Sequence, residues 1–429
     1  MIKKLLYINI IFAITLNWFS RNPDFISYGF SYLGLLPKQA FAIVEVLSIL
    51  IFLIILPKIR KQKEFVYSFI IIVLILLFYL PYTFIKGGEL VHYILGVRNY
   101  FSWLPILFGG FYLSYKNEPI KPFVTLILIL GLVQLPVTVF QYLFSFSFIV
   151  RGTIYDVVAG TMGGIAGNLL AIILTSIALF VIYFYLKYKK TWYLIALIAL
   201  LIPTVLSEAK GVYILLILGI MYILVFGSIT IAKRFTVVFW GSFLMLILVF
   251  AYINFVDFDR NVWDPSYYLE YEVSKNSRVD GRVARHTSMV IANDAITKEP
   301  LGVLVGVGFG NASINNLFGQ NGSYYSFYHI LHFWDRYLTE TGYLGVLFLL
   351  GMIIKCIFMM KYLEKKSPNK YISTLAGAMG SVLFICILAG FYTDHLNRVQ
   401  YTYPLTLVLG YLIGEYSKIK SSQNKFINA

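Results

Sequence analysis

The chain has 429 residues, 59% apolar, 18% aromatic and only 13% charged, with a mean hydropathy of +0.78 and a formal net charge of +15. Soluble domains are roughly 45–50% apolar and about 25% charged. This composition therefore excludes a soluble enzyme, a nucleic-acid binder or a disordered chain, and leaves a polytopic helical membrane protein. Cys356 and Cys386 both lie in apolar runs, so neither a disulfide scaffold nor a cysteine metal site is expected.

A bilayer core about 30 Å thick needs roughly 20 mostly apolar residues per helix. In chain order the expected spans are 5–20, 39–57, 65–85, 100–115, 122–144, 165–186, 192–207, 211–227, 235–254, 337–359, 373–392 and 402–416. The first has a signal-peptide flavour, but no small-residue cleavage site follows Asn17-Trp18-Phe19-Ser20, so it reads as a span. The expected fold is thus all-α with about 12 transmembrane helices. Residues 1–254 carry nine of them, 255–336 form a large extracytoplasmic loop with short helices, and 337–429 carry three more and a cytoplasmic tail.

Lys and Arg concentrate in short cytoplasmic loops. With both termini inside, the inner segments hold 21 of the 35 basic residues against four acids, Glu64, Glu118, Glu364 and Glu415. The charge excess is then a topology signal. Arginine and histidine break the pattern. Of eleven Arg only Arg60 and Arg234 lie inside, and all five His (His92, His286, His329, His332 and His395) fall outside. The outer face collects the side chains suited to binding phosphate and moving protons.

Within the long outer loop, Asp280 to Thr297 reads as a helix, with Asp280 as its cap and Glu299-Pro300 ending it. Arg282, Arg285 and His286 share one face near its start, where forked donors and free N–H groups favour an anion. The alternative is a solvated basic face paired with acids such as Glu272. At the tenth span, His332, Arg336 and Glu340 recur at i, i+4 and i+8, a stripe offering a base, a cation and a carboxylate as it enters the membrane. The alternative there is an Arg336–Glu340 ion pair with His332 as an interfacial polar residue. Further cations, Arg98, Arg151 and Lys210, stand at outer helix ends. Glu45 is either functional or the partner of an outer cation. Asp257-Phe258-Asp259 has a spacing that binds divalent metal in some sugar transferases, but three residues are a weak pattern, and no metal is expected.

Four segments, in order, resemble the bacterial O-antigen polymerase and ligase family, integral-membrane glycosyltransferases of surface polysaccharide assembly. They are Arg151-Gly152 through Gly167-Asn168-Leu-Leu-Ala171; Ser207-Glu-Ala-Lys210-Gly211, with Lys where the family has Arg; Gly281-Arg282 followed by Pro300-Leu-Gly302 and Gly306-Val-Gly308-Phe-Gly310-Asn311; and His332 through Glu340-Thr-Gly342-Tyr-Leu-Gly345, with Phe333 where the family has Asn.

The resemblance implies a C-type glycosyltransferase-like fold in the bacterial cytoplasmic membrane, with an extracytoplasmic active site. The implied donor is an oligosaccharide on undecaprenyl pyrophosphate; the lipid bilayer and a chain-length regulator are the other partners. Arg98, Arg151, Lys210, Arg282 and Arg285 are the candidate pyrophosphate ligands, and His332, Glu340 and Arg282 the candidate catalytic residues. No cofactor or metal is implied. The expected activity is polymerisation of lipid-linked repeat units. A ligase joining the glycan to lipid A core is the alternative within the family, and a flippase or transporter of lipid-linked oligosaccharide the alternative from another class.

Overall fold

The computed structural model describes residues 1–21, 33–60, 62–150, 158–163, 166–207, 209, 211–232, 285–313, 322, 324 and 332–427, with scattered positions between 234 and 250. It is mostly helical. The helices are α1 (Ile2–Phe19), α2 (Ala42–Ile59), α3 (Lys63–Ile85), α4 (Leu90–Phe101), α5 (Leu104–Tyr115), α6 (Lys121–Val150), α7 (Gly167–Tyr188), α8 (Trp192–Leu206), α9 (Gly211–Phe226), α10 (Arg285–Thr297), α11 (Gly302–Val305), α12 (Phe333–Lys366), α13 (Lys370–Ala389) and α14 (Val399–Ile427). One two-residue parallel pairing joins β1 (Ser20–Arg21) to β2 (Leu36–Pro37).

Among the described residues, seven helices are long and apolar enough to cross a membrane: α1, α2 with the 3-10 turn before it, α3, α6, α7, α12 and α13. Helices α8 and α9 are shorter apolar helices. The expected count of twelve differs for identifiable reasons. The fourth expected span is broken at Ser102-Trp103, which separates α4 from α5. The expected span 235–254 falls largely outside the described residues. The last, α14, is an interior helix that buries Gln400, Thr402 and Thr406 against other helices, which lowers its hydropathy.

Helix α14 packs most closely on α5, and small residues let the two backbones touch. A Cβ added to Gly410 would lie 1.9 Å from the Leu107 carbonyl oxygen, and one on Gly110 would lie 2.0 Å from that of Leu407. A second group forms around α7, nearly all of whose residues are buried, with α8, α9 and α13 against it.

Polar contacts between helix ends fall into two groups. At the lysine-rich end Lys3 pairs with Glu118 (3.1 Å), Ser114 donates to Glu415 (2.8 Å), and Lys418 reaches Glu415 and Asn117 (2.8 Å each). Glu364 there accepts from the Tyr183 hydroxyl and from Ser228 N–H (2.6 Å). The opposite end carries Lys86–Glu299, Arg98–Glu45, Arg336–Asp394 and Tyr392–Asn168.

At that opposite end a short segment, 158–163, which contains the one-turn 3-10 helix Gly160–Met162, is held inside the bundle by two α6 glutamines. Gln141 exchanges both hydrogen bonds with Gly160 (3.0 and 2.8 Å), and Gln134 accepts from Thr161 N–H (2.8 Å). Thr161 in turn donates to the Ile14 carbonyl (2.9 Å), and Asn17 donates to that of Met162. Buried backbone outside a regular helix needs such partners for its N–H and C=O groups.

Candidate functional site

Segments from distant parts of the chain meet on the connection between α13 and α14, residues 390–398. Tyr392 donates to the Asn168 side chain at the start of α7 (2.8 Å), and its ring fills the space above Gly211, where a Cβ would lie 2.4 Å away. From α12, Trp334 N–H reaches the Gly390 carbonyl (3.3 Å) and the Trp334 indole donates to that of Ile387 (2.7 Å). Arg336 donates to Asp394 (3.0 Å), which also accepts from Asn397 (2.6 Å) and has Arg398 at 3.9 Å. Two of the motif segments singled out in sequence, those of Asn168 and Gly211, therefore share Tyr392. A third, opened by His332, docks beside them through Trp334 and Arg336. Nothing in the 390–398 stretch marks it in sequence as a meeting point.

His332 is the N-cap of α12, not part of the helix, with side chain 9% exposed. Its Nδ1 lies 3.0 Å from Asp335 Oδ2 and 3.4 Å from the Ser288 hydroxyl of α10. The same carboxylate oxygen accepts from His332 N–H (3.2 Å). An acid in the first turn suits the helix dipole, and this one also meets the imidazole. The pair also forms a capping box, in which the His332 ring accepts from Asp335 N–H; in the other tautomer, which donates Nδ1–H to Asp335 Oδ2, the lone pair is on Nε2. Asp335, in sequence an ordinary first-turn acid, is 1% exposed.

The expected stripe of His332, Arg336 and Glu340 is corrected in three respects. His332 lies before the first helical turn. Arg336 makes its ion pair with Asp394. The helix breaks at Gly342 (φ +64°), two residues past Glu340, so the helix that carries the stripe does not run on unbroken, while Arg336 and Glu340 themselves stay within electrostatic range of each other.

Glu340 is fully buried and belongs to the loop that precedes it in sequence. Gly310 N–H (2.8 Å), Ala312 N–H (3.1 Å) and the Ser313 hydroxyl (2.7 Å) all donate to its carboxylate. The loop's Val307 and Gly308 N–H groups donate to the Thr339 and Glu340 carbonyls (2.8 and 3.0 Å). The glycines are demanded by contact. At Gly310 (φ +81°) a Cβ would lie 1.7 Å from the His92 carbonyl oxygen, and at Gly306 (φ +69°) 2.5 Å from the backbone of Thr339 and Glu340. The segment Gly306-Val-Gly308-Phe-Gly310-Asn311 thus wraps the protein's own carboxylate. Tyr82 donates to the Gly306 carbonyl (3.0 Å) and Asn99 to Ser313 (3.3 Å), fastening the same loop to α3 and α4. Lys86 (2.8 Å) and the Tyr324 hydroxyl hold the Glu299 carboxyl below its usual range and tie the end of α10 to α3.

The candidate cations divide. Arg98 shares its Nε–H between both oxygens of Glu45 (2.8 and 2.7 Å), so Glu45 is the partner of an outer cation and the Arg98 charge is already met. Only Nε is engaged in this pair, and the Arg98 side chain is 38% exposed. Arg151, Lys210 and Arg282 lie outside the described residues, and so does the expected cap Asp280; α10 begins at Arg285, whose side chain is outside them too. Of the histidines, His92 caps α4 by accepting from Glu89 N–H (3.1 Å). Burial pushes His395 down to about 4, so it is neutral at physiological pH and no anion ligand. His286 and His329 lie outside the described side chains, as does Asp257-Phe258-Asp259. Among the described residues no group of three His, Cys, Asp or Glu side chains is placed to hold a metal ion.

No protein-family model matches the chain, and no curated protein matches it.

Proposed function

We propose that this protein is a metal-independent, inverting glycosyltransferase that polymerises oligosaccharide repeat units carried on undecaprenyl pyrophosphate, at the outer face of the bacterial cytoplasmic membrane. The observation that carries the reading is the meeting of the Asn168, Gly211 and His332–Arg336 segments on residues 390–398, with an imidazole–carboxylate pair, His332–Asp335, beside it.

In this reading His332 Nε2 takes the proton from the acceptor hydroxyl as its oxygen attacks the anomeric carbon from the face opposite the leaving group. The bond from that carbon to the pyrophosphate oxygen breaks, the configuration inverts, and undecaprenyl pyrophosphate departs with the electron pair. Asp335 holds the ring in the productive tautomer and stabilises the imidazolium. Arg282, with Arg151, Lys210 and Arg285, meets the charge that develops on the leaving pyrophosphate. Glu340, enclosed by three donors, keeps the loop in place, and the proton acceptor is His332.

The test is turnover by purified protein reconstituted with lipid-linked repeat units and no energy source. Arg282→Ala should lose most activity while still inserting, and Arg282→Lys should recover only part, since a forked donor becomes a point charge. His332→Ala should lose roughly 10²–10⁴-fold. Full activity of both Ala variants overturns the reading. A deletion strain separates products: accumulated single repeats indicate a polymerase, accumulated full-length chains a ligase.

A further inference from the structure

A cavity of about 220 Å³ lies among α1, α6, α7, α8, α13 and α14, and His332 is not part of its lining. Its lining runs from Ile173 to Phe184 along α7, about 16 Å at the helical rise. One end is deep: Ile14, Ser176 and Tyr401 are 2, 7 and 3% exposed, and Tyr401 is tied off by hydrogen bonds with Ser176 (3.1 Å) and Cys386 (2.8 Å). The other end opens at Lys121 and Trp192, both exposed, with Tyr193 and Tyr371 beside them. The wall between is apolar, which suits a hydrocarbon chain and offers water few partners. Lys121 makes no ion pair among the described residues, and its near neighbour in sequence, Glu118, is already paired with Lys3. The mouth stands at the lysine-rich end, where Lys187, Lys189 and Lys190 precede Trp192 in the chain.

We propose that this shaft binds one acyl chain of an anionic phospholipid, with the phosphate at Lys121 and the glycerol region against Trp192. Charge selects the occupant. A zwitterionic lipid fits the same apolar wall but gains little from an unpaired lysine, whereas an anionic headgroup is favoured about fivefold by a single surface cation. The aromatic rings at the mouth mark the headgroup level of the bilayer.

The experiment is quenching of Trp192 emission, obtained by subtracting the Trp192→Phe variant, in vesicles doped with brominated-chain phosphatidylglycerol or brominated-chain phosphatidylcholine. Phosphatidylglycerol should quench at about one fifth the mole fraction that phosphatidylcholine requires. Lys121→Glu should abolish that difference, and Val181→Phe, which narrows the shaft, should reduce quenching by phosphatidylglycerol in protein that still elutes as a single species. Equal quenching by both lipids, or a difference that survives both substitutions, overturns the proposal. So does displacement of brominated phosphatidylglycerol by an equal fraction of polyprenyl phosphate, which assigns the shaft to an isoprenoid chain. The readout needs no turnover, so it stands or falls apart from the glycosyltransferase reading.

Discussion

Glu340→Ala should loosen the loop 306–313 while leaving the helix bundle intact. The carboxylate is fully buried and accepts from Gly310 N–H, Ala312 N–H and the Ser313 hydroxyl at 2.7–3.1 Å. Truncation leaves two buried backbone donors without an acceptor, each costing about 1–3 kcal/mol, and removes the serine bond, worth about 1 kcal/mol. Simple addition gives roughly 3–7 kcal/mol, and partial relaxation towards water brings the expected cost to the lower part of that range, about 3–4 kcal/mol. At about 1.4 kcal/mol per decade, amides protected by closure of the loop should exchange at least a hundredfold faster. Hydrogen–deuterium exchange mass spectrometry in nanodiscs reads this directly, with peptides from α13 (Lys370–Ala389) as the unaffected reference. Glu340→Gln should fall between, because its amide oxygen still accepts while its NH₂ faces a donor. Wild-type exchange across 306–313 in Glu340→Ala would refute the assignment of this carboxylate as the loop's anchor.

Gly310→Ala places a Cβ 1.7 Å from the His92 carbonyl at φ +81°, so backbone strain and overpacking together should cost about 2–4 kcal/mol, seen as a lower Tm in detergent; an unchanged Tm contradicts the packing. For the pair formed by Arg336 and Asp394, whose side chains are 13 and 15% exposed, Asp394→Ala should cost about 3 kcal/mol by removing the carboxylate hydrogen-bonded to a buried guanidinium. The double change Arg336→Met with Asp394→Ala should recover part of that loss, and strictly additive effects in the cycle would show that the two do not interact. His395 is neutral in the native state, its imidazole pushed down to about 4 from an ordinary 6.5. Between those two values the unfolded chain takes up a proton that the folded one refuses, so stability should fall as pH falls through this window, by about 3 kcal/mol in all. His395→Gln should flatten that acid limb in a plot of Tm against pH, and an unaltered limb would disprove the assignment.

Much of the framework was legible from composition and pattern. The apolar runs 39–57, 65–85, 122–144 and 165–186 correspond to α2, α3, α6 and α7 within a few residues, because a helix in a bilayer satisfies its own backbone and announces itself by length and hydropathy alone. The sorting of charges anticipated which loops meet: Lys3 finds Glu118 and Arg98 finds Glu45, each pair within one expected side. What pattern could not settle was partnership across the fold. Helical spacing offered Glu340 to Arg336, and the two do interact electrostatically, yet Asp394 takes the guanidinium's hydrogen bond and a loop some 30 residues earlier takes the carboxylate's. Asp335 and Tyr392 carried no signal because an acid in a first turn and an aromatic at a helix end are ordinary in sequence. Gln134 and Gln141 are isolated polar residues in the apolar run 122–144, and it is the packing of 158–163 against α6 that gives them partners. Hydropathy is a property of a short stretch of chain and survives without the fold. Hydrogen bonds and ion pairs act over about 3 Å, so their partners are decided only when distant segments are packed against one another.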